Sequence, residues 1–138
     1  METKRIGIIT AGGDSPGLNA SSACPDRSDP RRIYLLRGAE VVILDRKNHS
    51  ERRLGEIPPP RLGGFSQPTL SGDGRWLALS KQRDAANWEI GRMNTGTGEY
   101  RTVLTQGFQI GHVQHSPTDD VLFYVWETGG FAPQRTWL

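Results

Sequence analysis

From Ile33 onward, short apolar runs alternate with turn-forming clusters, and no stretch keeps the three-to-four-residue apolar spacing of a surface helix. IYLL (33–36), VVIL (41–44), RWLALS (75–80), NWEIGRM (87–93), YRTVL (100–104), HVQH (112–115) and VLFYVW (121–126) read as strands. The intervening SGDG (71–74), NTGTGE (94–99) and SPTDD (116–120) carry the Gly, Asn, Asp, Ser and Pro that tight turns need. Upstream, KRIGIIT (4–10) reads as a short buried strand, and AGGDSPGLNA (11–20) as a glycine turn running into a helix start. SSACPDRSDPRR (21–32) is nearly devoid of apolar side chains and holds two prolines, which suggests a linker or a junction.

The strands recur. PTLSGDGRWLALS (68–80) lies over VQHSPTDDVLFYV (113–125) without a gap, at an offset of 45 residues. A looser pair, offset by 48, sets Val42 on Ile90, Glu51 on Glu99 and Arg53 on Arg101. A period of about 40–45 residues holding four short strands is the pattern of a β-propeller blade. The expected fold is therefore all-β, an incomplete propeller of four-stranded antiparallel blades. On this reading IYLL and VVIL give the outer half of one blade, residues 64–105 a full blade and residues 108–138 the inner half of a third. A ring closes with about 4–8 blades. The chain is expected to supply about two, which leaves open edges that invite self-association.

Composition agrees. Of 138 residues, 17 are Gly and 9 are Pro, a density of breakers unsuited to a helical bundle. Cys24 is the single cysteine, so neither an internal disulfide nor a Cys-rich zinc site is available. The net charge is +2; residues 1–62 carry 11 basic and 8 acidic groups, residues 63–138 six and seven. That is an ordinary protein surface and gives no nucleic-acid footprint. No apolar stretch reaches the roughly 20 residues of a membrane span. The N-terminus lacks a signal-peptide pattern, which reads as cytoplasmic.

Two segments resemble known families. KRIGIITAGGDSPGLNA (4–20) is similar to the start of ATP-dependent 6-phosphofructokinase, whose first strand runs into a GGD-x-PG-x-NA loop. The resemblance implies that Gly12, Gly13 and Asp14 approach the ATP phosphates, as backbone N–H groups at a helix start favour anions. Nothing later supplies that kinase's catalytic base or magnesium ligand, so phosphoryl transfer is not expected. GHVQHSPTDDVLFYVWETGGFAPQRTW (111–137) resembles the oligogalacturonate lyases, a seven-bladed propeller family that degrades pectin fragments. The QPTLSGDGRWLALS (67–80) phrase is a general propeller feature, akin to WD40-type repeats, and speaks to fold alone. The expected organisation is a leader over 1–20, a linker over 21–32 and a propeller fragment over 33–138.

The lyase resemblance implies β-elimination on an oligogalacturonide, assisted by Mn2+. A metal on the uronate carboxylate draws off charge and acidifies the neighbouring proton, which a basic side chain removes. By resemblance His112 is the metal ligand, at the start of an inner strand and facing the channel. Gln114, two residues on, shares its face and is a substrate contact, whereas His115 points the other way. Arg135, in the APQRTW segment, is the catalytic candidate, placed to clamp a uronate carboxylate through paired hydrogen bonds. Glu127 follows Trp126 and is placed to hold a substrate hydroxyl. Trp76, Trp88 and Trp126 are expected to pack between blades. The rest of the family's ligands are expected in a later blade, so this chain is expected to be inactive by itself. A non-catalytic propeller module for binding or scaffolding, and an ATP-binding kinase remnant, are the alternatives.

Overall fold

The computed structural model of the protein describes residues 22–127 and 135–137, and among these it contains strands and no helix. Three antiparallel sheets follow one another along the chain. The first holds β1 (Ser22–Pro25), β2 (Arg32–Arg37), β3 (Glu40–Asp45) and β4 (Glu51–Glu56), in that order. The second holds β5 (Thr69–Leu70), β6 (Trp76–Gln82), β7 (Trp88–Asn94) and β8 (Tyr100–Gln106). The third joins β9 (Ile110–His115) to β10 (Leu122–Trp126) and β10 to β11 (Arg135–Trp137). These are propeller blades, each a meander running outward from its first strand, and the described sheets do not close into a ring.

Two expectations about the first blade are corrected. Ser22–Pro25 lies within the segment read as a linker, yet it is a strand, paired with β2 from Ser22 opposite Leu36 to Pro25 opposite Ile33. The blade is therefore complete, and IYLL and VVIL are its middle pair, not its outer half. The phosphofructokinase-like segment, with Gly12, Gly13 and Asp14, lies outside the described residues.

The structure also extends the internal repeat. Asp26, Ser71 and Ser116 stand 45 residues apart, each buried just after the innermost strand of its blade. Asp26 Oδ1 accepts from the backbone N–H groups of Ser28 (2.8 Å) and Asp29 (3.1 Å). Ser116 Oγ accepts from Thr118 (3.3 Å) and Asp119 (3.2 Å), at the same spacings. Ser71 Oγ instead accepts from Trp76 N–H at 3.0 Å and donates to Asp73 at 2.6 Å. In each case a short, buried polar side chain accepts from backbone donors of the turn or of the strand that follows it.

The core lies between the sheets. Tyr34, Leu36, Val41 and Ile43 of the first blade meet Leu77, Leu79 and Met93 of the second. Ala78 and Ile90, on the opposite face of the second blade, meet Ile110 and Val113 of the third. Strand β6 is thus covered on both faces, and its five central residues are buried. Outer strands β4 and β8 keep mostly exposed or half-buried positions. Burying a Leu or Ile side chain this way contributes about 1.5–3 kcal/mol each. Ser80 Oγ donates to the Ile110 carbonyl at 2.9 Å, so a polar bond as well as apolar packing fixes β9 against β6.

Candidate functional site

The strand β9 begins at a cavity of about 330 Å³ whose wall includes Trp88, Gln109, Gly111, His112 and Glu127. Two candidates from the sequence, His112 and Glu127, therefore meet here. What brings them together is an irregularity in the β9–β10 ladder. Gln114 pairs with Phe123 and Gly111 with Val125, so β9 carries one residue more than β10 between those rungs. The backbone absorbs the extra residue at His112, whose φ is +39°. A non-glycine residue rarely adopts the left-handed region, and a bulge of this kind re-aims a side chain. The His112 ring is exposed at the cavity mouth, while the neighbouring Val113 is buried in the core between blades.

Glu127 returns to the same place from the end of β10. Its backbone N–H donates to the Gln109 carbonyl at 3.0 Å, and Gln109 Nε2 donates to its Oε2 at 2.7 Å. The carboxylate lies over Gly111, where a Cβ would overlap it. Gly111→Ala is accordingly expected to push Glu127 aside and break the Gln109 bond. The clash is with the movable end of a side chain, so stability should change by less than about 1 kcal/mol. The Gln109 side-chain amide resonances, followed alongside thermal melting, check both halves of that expectation.

Gln114 is exposed, as is His112, and His115 is buried, so the expected division of faces holds in the strand. Gln114 does not reach the cavity that His112 and Glu127 share; it lines a second hollow of about 320 Å³ with His112, Phe123 and Val125. Arg135 lies in β11 opposite Trp126, which is itself opposite Ile110. Its backbone is thus two strands from β9, about 10 Å at ordinary strand spacing. The Arg135 side chain lies outside the described part of the structure. Trp88 both packs against the core cluster around Ile90 and Ile110 and lines the cavity.

Gln109 and Gly111 have roles that the sequence did not reveal. Gln109 is an ordinary polar residue two positions before Gly111, and its role depends on a partner 18 residues later. The available signal was the Gly-His pair itself, since a glycine beside a candidate ligand often marks a close approach.

No protein-family model matches the chain, and no curated protein does. Solved structures do resemble it. An oligogalacturonate lyase in complex with manganese superposes with a TM-score of 0.69 at 17% identity, over 79% of this chain and 34% of that one. Oligogalacturonate lyase from Vibrio parahaemolyticus gives 0.63 at 13% identity, over 72% of this chain and 32% of that one. TolB from Acinetobacter baumannii gives 0.60 at 14%, over 83% and 28%. At such identities the likeness is one of fold: the chain is built as β-propeller blades. It spans about a third of the length of these structures.

The manganese in the first of those structures invites a comparison of donors. Among the described residues no three His, Cys, Asp or Glu side chains stand together to hold a metal ion. His112 and Glu127 offer one imidazole and one carboxylate, short of the octahedral oxygen-rich shell manganese favours. The residues described here do not by themselves make a manganese site.

Proposed function

We propose that this chain is part of an oligogalacturonate-lyase-like propeller, that the His112–Glu127 cavity is a saccharide subsite, and that the 138 residues alone bind without cleaving. The observation that carries the reading is the meeting of His112, in β9, and Glu127, just past the end of β10, at one cavity on blades that superpose on a lyase. The left-handed backbone at His112 supports it, because strain of this kind clusters at functional sites.

β-Elimination from a uronide needs a base at the C5 proton, a cation against the carboxylate and a route for the glycosidic oxygen to leave. The imidazole of His112 is exposed and lines the cavity. The Glu127 carboxylate, oriented by Gln109, is an acceptor for a sugar hydroxyl. No cation lines the cavity among the described residues. Arg135 is the proposed clamp for a substrate carboxylate, and its backbone position two strands away is compatible with that role. Binding without elimination is therefore what these parts support.

A pectin digest containing free and esterified galacturonides, added with and without manganese, tests this. Ring resonances of His112 should shift with no rise in the ultraviolet absorbance of unsaturated uronates, and Glu127→Ala should weaken that shift. Steady accumulation of unsaturated product would refute the claim of inactivity. An unperturbed His112 and Glu127 at saturating digest would refute the site.

A further inference from the structure

We infer that the face of the third blade turned away from the second docks the first blade of a second copy of this chain, and that two copies join head to tail in this way into a closed ring of six blades. This assembly does not depend on the saccharide subsite.

The blade repeat points to the face. Cys24, Thr69 and Gln114 stand 45 residues apart on the first strands of the three blades. Their partners on the second strands are Tyr34, Ala78 and Phe123. Tyr34 and Ala78 lie between blades and are 1% and 0% exposed. Phe123, at the same place in the third blade, is 37% exposed. Side chains alternate along a strand, so Val121, just before β10, and Val125 share its face, while Leu122 and Tyr124 pack toward the second blade. Val121 is 40% exposed, and Phe123 and Val125 line the hollow of about 320 Å³. A contiguous exposed apolar surface of this kind marks an interaction site.

The first blade carries the matching face. Leu77 and Leu79 of the second blade turn back onto the first, where they meet Tyr34 and Leu36. Ile33 and Leu35 hold the positions of Leu77 and Leu79 in the first blade. Ile33 stands opposite Pro25 as Leu77 stands opposite Leu70, and Pro25 and Leu70 are 45 residues apart. Ile33 and Leu35 are half-buried, whereas Leu77 and Leu79 are 2% exposed. Phe123 and Val125 in turn hold the positions of Tyr34 and Leu36. A second copy docked through these faces therefore repeats the packing that joins the first blade to the second, aromatic for aromatic and aliphatic for aliphatic.

One polar contact also carries over. Thr69 Oγ1 accepts from the His115 N–H at 3.1 Å between the second and third blades. At the new contact Gln114 takes the place of Thr69, and Pro25 that of His115. Proline has no N–H to give, and the Gln114 amide offers a donor for a backbone carbonyl instead. Because the contact joins unlike faces, copies add until the ring closes. Two copies of three blades give six, inside the roughly 4–8 of closed propellers, and three copies fall outside it.

The test uses the 138-residue chain, its mass followed by light scattering over a concentration series, with Phe123→Glu altering one face and Leu35→Glu the other. The unaltered chain should form a dimer and nothing larger. Each variant alone should be monomeric, its dissociation constant raised at least about 100-fold by a charge set into both contacts of the ring. Mixed, the two variants should associate one to one, because each keeps the face that the other has lost. Amide spectra check that the variants fold, and Phe123→Ser and Leu35→Ser replace a glutamate that does not. A monomeric or open-ended parent overturns the inference. A dimer lost in Phe123→Glu and kept in Leu35→Glu overturns it too, since the third blade then packs on its own copy. A dimer indifferent to both changes, or a mixture of folded variants that stays monomeric, has the same force.

Discussion

Lys81→Met and Glu89→Leu, made singly, should each destabilise the fold by about 3–5 kcal/mol, and the double variant should recover most of the loss. Both side chains are almost fully buried, at 1% and 3% exposure, with Lys81 Nζ 3.4 Å from Glu89 Oε1. Nζ also donates to the Pro58 carbonyl at 2.5 Å, tying the second blade to the crossing from the first. Glu89 Oε1 accepts from the Tyr100 hydroxyl at 2.9 Å and from Thr102 Oγ1 at 3.3 Å. Burial, and then the adjacent Glu89 carboxylate, push the Tyr100 hydroxyl well above its usual range, so it stays a donor. Removing either charge leaves the other desolvated. The two singles should not be equal. After Lys81→Met, Glu89 keeps Tyr100, Thr102 and Arg83, whose NH1 is 3.9 Å from Oε2. After Glu89→Leu, the Lys81 ammonium keeps the Pro58 carbonyl and the face of the Tyr100 ring, 5.3 Å away. Glu89→Leu should therefore cost more. Against a typical domain stability of about 5–15 kcal/mol, either loss is large. Urea denaturation gives the comparison; single-variant costs below about 1 kcal/mol would contradict it.

In the sequence, Lys81 and Glu89 look like ordinary surface charges, and nothing local marks them as buried. Their position follows from β6 being covered on both faces, a property of blade stacking and not of the strand itself. The parts of the fold legible in advance were those with an apolar face to show. Leu77 and Leu79 alternate with Ala78 and Ser80, and Val41 and Ile43 with Val42 and Leu44. Strand β1 was hidden because SACP carries almost no apolar signal. It is held as a strand by main-chain pairing to β2. The repeat that would have exposed it was masked by Asp26, which replaces the serine of the other two blades while capping the same turn donors as Ser116. The candidate site was half legible for a similar reason. His112 and Glu127 carry chemistry that can be read one residue at a time. The Gln109 bond and the close approach at Gly111 exist only once β10 has returned beside β9.

His115→Leu should raise stability by about 1–3 kcal/mol at neutral pH, and by more as the pH falls. His115 is 4% exposed, and neither ring nitrogen has a hydrogen-bond partner among the described residues. A buried polar group left unpaired costs about 1–3 kcal/mol. Leucine suits the position on internal evidence, since Leu70 stands 45 residues earlier at the same place in the second blade. The His115 backbone N–H donates to Thr69 Oγ1 at 3.1 Å, and a leucine keeps that bond. Burial lowers the imidazole pKa below its ordinary 6.5; Asp120 and Asp73 oppose that shift and Arg92 adds to it. The unfolded chain therefore binds a proton at His115 more readily than the folded chain does. Stability from this residue is retained above pH 6.5 and falls as the pH drops through it, by up to about 1.4 kcal/mol per pH unit. Leucine has no proton to take up, so the gap between variant and parent should widen from pH 7 to pH 5. Chemical denaturation of both proteins across that interval measures the gap; a variant less stable than its parent, or a gap that does not change with pH, would show that the His115 ring is satisfied in solution.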